Sequence, residues 1–211
     1  MIDSETTRQI VGFHGHMCPG LAMGIRAAEV ALAEIGPHSQ DEEVVAIVET
    51  DMCGVDAIQF LTGCTFGKGN LIHRDYGKNA YTFIRRVDGR AIRISGRPGG
   101  GTPPDNDPAQ AAARAAEREV LFERMQSGQA SPDDGARFDT LMLDRSQAIL
   151  DASLDDMYDV REVDASIPPM ARVFTSIECE SCGEPTMETR IHLLDSRQLC
   201  PPCFDQALAE D

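Results

Sequence analysis

The 211-residue chain has no tryptophan, and aromatic residues make up only 5% of it. Aliphatic side chains must therefore fill its core. Long apolar runs are missing too: none approaches the roughly 20 residues that span a bilayer as a helix. The opening Met1-Ile2-Asp3-Ser4-Glu5 carries neither a basic nor an apolar stretch, so no secretory leader is expected and the expected compartment is the cytoplasm. Positive charge is scarce, with 19 Lys and Arg against 35 Asp and Glu and a net charge of −16. Phosphate backbones and anionic lipid surfaces should repel such a chain, so neither nucleic acid nor a membrane is an expected partner. No internal repeat is present.

What remains is ordinary for a globular protein: 42% hydrophobic and 26% charged residues. The length suits one medium domain with a small appendage. Thr6 to Phe13 reads as a short amphipathic helix, interrupted by His14-Gly15-His16-Met17-Cys18-Pro19-Gly20. Pro19 suits the first turn of a second helix. That helix carries Leu21, Ile25, Ala28, Leu32 and Ile35 on one face and ends at Gly36-Pro37. The β-branched run Val44 to Val48 predicts a buried strand. A short helix over Gly54 to Leu61, with Gly63 as its C-cap, leads into a glycine-rich loop ending at Asn70. Strands Ala80 to Val87 and Arg90 to Ser95 flank the hairpin dipeptide Asp88-Gly89. The Gly/Pro-rich stretch 96–108 predicts a mobile linker, and 109–152 a helical insertion broken near Ser127 to Asp133. Tyr158 to Val163 is expected to return to the sheet. Ile167-Pro168-Pro169 marks a boundary between a core over 1–168 and a cysteine-rich module over 169–211.

In a reducing compartment the seven cysteines are not expected to form structural disulfides. Four of them form two CxxC pairs, Cys179/Cys182 and Cys200/Cys203. Zinc takes four soft ligands in a tetrahedron, and each CxxC turn presents two thiolates from one side. Gly183 permits the tight turn after the first pair, and a helix from Phe204 would carry the second pair in its first turn. The pattern resembles a treble-clef finger and the fingers of DksA-like regulators. The competing readings are two redox-active pairs or an iron–sulfur site. His192 is surplus to a closed four-sulfur site, which would be structural.

The other three cysteines lie in the first third. Cys18 follows His14 and His16 and precedes Pro19, at the expected N-cap of a helix, where free N–H groups and the dipole favour a thiolate. Cys53 stands at a second helix start, close to Asp51 and Asp56, and Cys64 follows that helix. Mixed His/Cys sets at element ends suit a transition metal or a reactive thiol. Taken singly, Cys53 or Cys64 could equally be a buried small hydrophobe. Lys68, between two glycines, could hold an anion or be a solvated lysine, and His73 reads as a surface histidine.

Three blocks carry a family resemblance. They are Gly12-Phe13-His14-Gly15-His16-Met17-Cys18-Pro19-Gly20-Leu21 with Gly24 and Arg26, the two segments Asp51 to Gln59 and Thr62 to Leu71, and Gly77 to Phe83. They resemble the FmdE family, named for a component of formylmethanofuran dehydrogenase, some members of which carry a C-terminal treble-clef finger. The resemblance implies an α+β core with a mixed sheet and packed helices, usually dimeric, with the His/Cys blocks gathered in a cleft. It also implies association with a molybdenum or tungsten oxidoreductase. No pterin or iron–sulfur cluster pattern is visible, so that chemistry would belong to other polypeptides of the enzyme.

Two roles follow. In the first, Cys18 with His14 or His16 and Cys53 or Cys64 binds a second transition metal for metal-dependent or redox chemistry, tuned by Asp51, Asp56 and Gln59. Cys18 and His16 lead this set, followed by Cys53 and His14. In the second, the chain is a non-catalytic adaptor that docks a partner enzyme through the finger. A regulator acting through the finger is a third reading, opposed by the net charge.

Overall fold

The computed structural model describes residues 2–100 and 108–210, and these divide into two compact units meeting between Met170 and Ala171. Most of the expected linker, residues 101–107, lies outside the described residues. The first unit is α+β. It contains β1 (Val44–Val48), β2 (Leu71–His73), β3 (Ala80–Arg85), β4 (Ala91–Gly96) and β5 (Tyr158–Glu162), and helices α1 (Ser4–His14), α2 (Pro19–Glu34), α3 (Gly54–Thr62), α4 (Pro108–Gln126), α5 (Pro132–Asp151) and α6 (Leu154–Met157). No helix among the described residues is long and apolar enough to cross a membrane.

The strand order is β2-β1-β3-β4-β5. β1 and β2 run parallel and the remaining pairs antiparallel, so the sheet is mixed. Alternation along the strands sorts side chains onto two faces. Val44, Ala46, Val48, Tyr81, Phe83, Ile92 and Ile94 join the core built with α2. Val45, Ile47, Ile84 and Ala91 form a second cluster, which Ile72, Val163 and Ala165 help to cover. Beyond β5, Arg86 holds the outgoing chain by donating to the carbonyls of Pro168, at 2.5 Å, and Pro169, at 3.4 Å. The hairpin between β3 and β4 turns at Gly89, whose φ of 74° is the left-handed conformation that the Asp-Gly pair predicts.

α2 is central, and its glycines determine how closely α3 approaches. A side chain begun at Gly24 would fall on the Gly54 carbonyl oxygen and lie 2.5 Å from the Gly54 Cα. The two helices therefore touch through backbone. Gly24→Ala should push them apart and lower the stability of the first unit by about 3 kcal/mol, the upper end for overpacking. A thermal melt would show a fall of roughly 6–12 °C, whereas an unchanged melting point would mean that the helices do not meet here.

The second unit, Ala171–Asp211, has two short hairpins, β6 (Ser176–Glu178) with β7 (Pro185–Met187) and β8 (His192–Leu194) with β9 (Arg197–Leu199), followed by α7 (Pro201–Glu210). Asp195 and Ser196 turn the second hairpin with φ of 49° and 66°, both left-handed.

Candidate metal centres

α1 runs into the first centre and stops there. His14 is its last residue, and Gly15, at φ 105°, caps the helix by donating its N–H to the Val11 carbonyl at 2.7 Å. Gly15 can hold this conformation because it lacks a Cβ. The chain reverses through His16, and Cys18 becomes the N-cap of α2, with Pro19 in the first turn as expected. The Cys18 sulfur accepts the Leu21 N–H at 3.3 Å. Two turn devices three residues apart thus fold His14, His16 and Cys18 back on themselves. Their ligand atoms all lie within 4.8 Å of one another. The two imidazoles sit 4.9 Å apart, and His14 Nε2 is 4.0 Å from Cys18 Sγ.

α3 supplies the second wall. Asp56, in its first turn, lies with Oδ2 2.6 Å from His14 Nδ1, and the His14 side chain is only 10% exposed. An ionised carboxylate only accepts, so this bond places the proton on Nδ1 and leaves the Nε2 lone pair facing Cys18. Gln59, one turn on, donates to Asp56 Oδ1 at 3.5 Å and accepts the Phe66 N–H at 3.2 Å. Cys53 is the N-cap of α3, half-buried, with its thiol free of any capping bond. Burial, and then the neighbouring Cys18 thiol, push the Cys53 thiol up. Gly20 leaves a notch between the two: a Cβ there would be 3.7 Å from Cys53 Sγ and 3.9 Å from Cys18 Sγ. Thus His14, His16 and Cys18 form one close group of donors, and the Cys53 thiol borders Cys18 across a gap that any side chain at position 20 would narrow. This borderline-soft set fits zinc or another late first-row metal.

The other sequence candidates divide by place. Asp51 is exposed just before α3. Cys64 is fully buried and donates to the Val44 carbonyl at 3.4 Å, and burial pushes its thiol up to about 11. Lys68 is bound to backbone, donating to the carbonyls of Ser39 at 2.9 Å and Gln40 at 3.3 Å. Neither is brought to the His/Cys group. Tyr81 does not stand out in the sequence, yet its hydroxyl lies 2.9 Å from where a Gly54 Cβ would start, beneath the beginning of α3. It donates to Asn79 Oδ1 at 2.8 Å, and burial pushes it up to about 12. Gly20 and Gly24, spaced four apart on one face of α2, are the available signal for this close approach.

The second centre joins the two CxxC pairs. Cys179 and Cys182 lie between β6 and β7, where Gly183, at φ 76°, closes the turn by donating to the Cys179 carbonyl at 2.8 Å. Cys200 precedes α7, and Cys203 lies in its first turn. The four sulfurs all fall within 4.8 Å of one another, and Cys182 and Cys200 are 3.8 Å apart. A tetrahedron with Zn–S bonds of about 2.3 Å has edges of about 3.8 Å, so the spacing fits zinc. The Cys200 N–H donates to Cys179 Sγ at 3.3 Å. Backbone N–H groups of Cys182 and Cys200 bring the Cys179 thiol down to about 6. His192 stacks on Phe204 with ring centres 4.5 Å apart, as befits a surplus histidine.

Comparison with known proteins covers the segments that carry both groups. Residues 173–207 match the prokaryotic dksA/traR C4-type zinc finger. A curated relative from Archaeoglobus fulgidus, a "Probable S-adenosyl-L-methionine-binding protein", is 31% identical over 186 residues. That match takes in 85% of this chain, and the chain spans only 48% of the relative's length. The crystal structure of a "tungsten formylmethanofuran dehydrogenase subunit e (fmde)-like protein" from Syntrophus aciditrophicus shares the fold. It aligns with a TM-score of 0.56 at 21% identity, over 96% of this chain and 92% of that one. Residues 13–159, well over half the chain and including the whole His/Cys centre, match the family described as "FmdE, Molybdenum formylmethanofuran dehydrogenase operon", and the chain belongs to the FmdE family.

Proposed function

We propose that this is a metal-dependent accessory protein of an oxidoreductase system, with a structural zinc in its C-terminal finger and one transition metal in the His/Cys cleft. The observation that carries this reading is the Asp56–His14 bond of 2.6 Å. A buried histidine held by a carboxylate through one ring nitrogen, with the other aimed at a thiol, is how proteins orient a metal ligand. His14, Cys18 and Cys53 would hold the ion, and exposed His16 would be the fourth, exchangeable ligand. When bound, such an ion supplies Lewis acidity at an open coordination position. The chain's own groups orient it: Asp56 fixes the His14 tautomer, Gln59 holds Asp56, and the Leu21 N–H fixes the position of the Cys18 sulfur. We place the protein in the cytoplasm as a homodimer. S-adenosyl-L-methionine, which names the curated relative, is the first ligand to try at the open position.

Elemental analysis of purified protein tests the reading. Wild type should carry two metals per chain. Cys18→Ser combined with His16→Ala should carry one, with the finger intact. Unchanged stoichiometry in the double variant would refute the cleft site.

A second reading, an adaptor that docks a molybdenum or tungsten enzyme, is supported by the finger, which leaves Met187, Leu193 and Leu208 exposed. Co-purification with such an enzyme, together with a single metal per chain, would favour it.

A further inference from the structure

We infer that Cys18 and Cys53 form a reversible disulfide with low-molecular-weight disulfides as oxidant, which makes the cleft a redox-modification site. The inference deepens the metal reading and rests on it in one respect only: disulfide and metal would compete for the same two sulfurs.

Geometry carries it. The two cysteines lie 35 positions apart in sequence, and each caps the N-terminus of a helix, α2 and α3. Those helices are locked at backbone contact through Gly24 and Gly54, so the spacing of the caps is fixed by the core. Both sulfurs border the Gly20 notch, at 3.7 and 3.9 Å from where a Gly20 Cβ would stand, and the Cys53 Cβ is 3.2 Å from that point. A disulfide requires Cβ atoms to approach within about 4.5 Å, and with no side chain at Gly20 nothing at that position stands between the two sulfurs. The two thiols also differ in the way exchange chemistry needs. Cys53 is half-exposed and has no capping bond, so it can meet an external disulfide. Cys18 is 9% exposed and has its sulfur fixed by the Leu21 N–H, so it is placed to resolve the first adduct. Cys64, fully buried and bonded to Val44, serves as the internal control.

The step balances as follows. The Cys53 thiolate attacks one sulfur of glutathione disulfide, a mixed disulfide forms, and one glutathione thiolate leaves. The Cys18 thiolate then attacks Cys53 Sγ and expels the second glutathione. Two electrons pass from the cysteine pair to glutathione disulfide, and the two thiol protons end on the two glutathione molecules.

The test equilibrates the full-length protein in buffers of graded reduced and oxidised glutathione. Free thiols are then alkylated with one label, disulfides are reduced and alkylated with a second, and peptide masses are mapped. Cys18 and Cys53 should change label together, with one midpoint that follows the square of reduced glutathione over oxidised, while Cys64 stays a thiol. Cys18→Ser should trap a glutathione adduct on Cys53, and Gly20→Ala should shift the wild-type midpoint at least tenfold towards the thiols. Separate midpoints, or one glutathione on each cysteine of the wild type, would overturn the inference. Stoichiometric Zn²⁺ added before oxidation separates the two readings. Protection of both thiols supports competition. A linked pair that zinc fails to protect would sink the metal reading and leave the disulfide standing, whereas bound zinc with no linked pair at any buffer ratio would do the reverse.

Discussion

Cys179→Ser should release the finger's metal and unfold the unit Ala171–Asp211 while the first unit stays folded. Among the described residues of the second unit, only Cys179, Leu199 and Cys200 form a buried cluster, with Leu194, Phe204 and Ala207 packed against them. At about 40 residues, such a module cannot bury enough apolar surface to fold unaided. Structural zinc in fingers contributes roughly 10–16 kcal/mol at neutral pH, far more than this small cluster supplies. Cys179 is the most sensitive position, because its sulfur is buried and collects the Cys200 N–H, which a serine hydroxyl would meet without holding the ion. Hydrogen exchange should show the amides of β6 to β9 and α7 losing protection, with α2, α3 and the five-stranded sheet unchanged. A chelator applied to wild type should give the same pattern. Retained protection in the second unit would show that the finger folds on its own core.

Asp56→Asn should weaken metal binding in the cleft by about 10–100-fold and leave the finger's affinity unchanged. The substitution keeps size and shape but removes the charge that makes the carboxylate an obligate acceptor. An asparagine can turn its NH₂ towards His14 Nδ1, which moves the imidazole proton to Nε2 and blocks the ligand lone pair. It also removes a negative charge beside the proposed ion. Competition against a chromophoric chelator at fixed pH reads the affinity. Gln59→Ala should act in the same direction and less strongly, because Gln59 would act on the proposed ion through its bond to Asp56. Lys68→Ala should leave the cleft affinity unchanged, since its ammonium is tied to the carbonyls of Ser39 and Gln40. Equal losses in all three variants would mean general destabilisation and would remove the positioning role of Asp56.

What the sequence revealed follows from the range of the interactions. α2 was legible because its apolar residues repeat on one face, and its start because Pro19 and a capping cysteine are neighbours. The finger was legible for the same reason: each CxxC turn is local, and two of them at this spacing leave few alternatives. β2 was not foreseen. It is three residues long and gains its identity only by lying parallel to β1, with Leu71 opposite Ala46. The cleft was half legible. HxHxC is contiguous, but the Asp56 contact to His14 spans 42 positions, and nothing near Asp56 in sequence says that its partner is a histidine at the end of α1. Cys64 and Lys68 show the reverse. Both sit in a glycine-rich loop that reads as functional, and both are taken up by carbonyls of residues 39–44, which the local sequence does not reveal. The glycines of α2 and α3 were visible as letters, but their purpose, to bring two helix starts and two thiols together, required the packing.

The most direct measurement is the number and position of metals per chain, from elemental analysis of full-length protein and anomalous diffraction at the metal's absorption edge. Two peaks per chain are expected, one among the sulfurs of Cys179, Cys182, Cys200 and Cys203, and one between His14 Nε2 and the sulfurs of Cys18 and Cys53. A single metal per chain, confined to the finger under metal-replete and reducing conditions, would contradict the cleft as a metal centre.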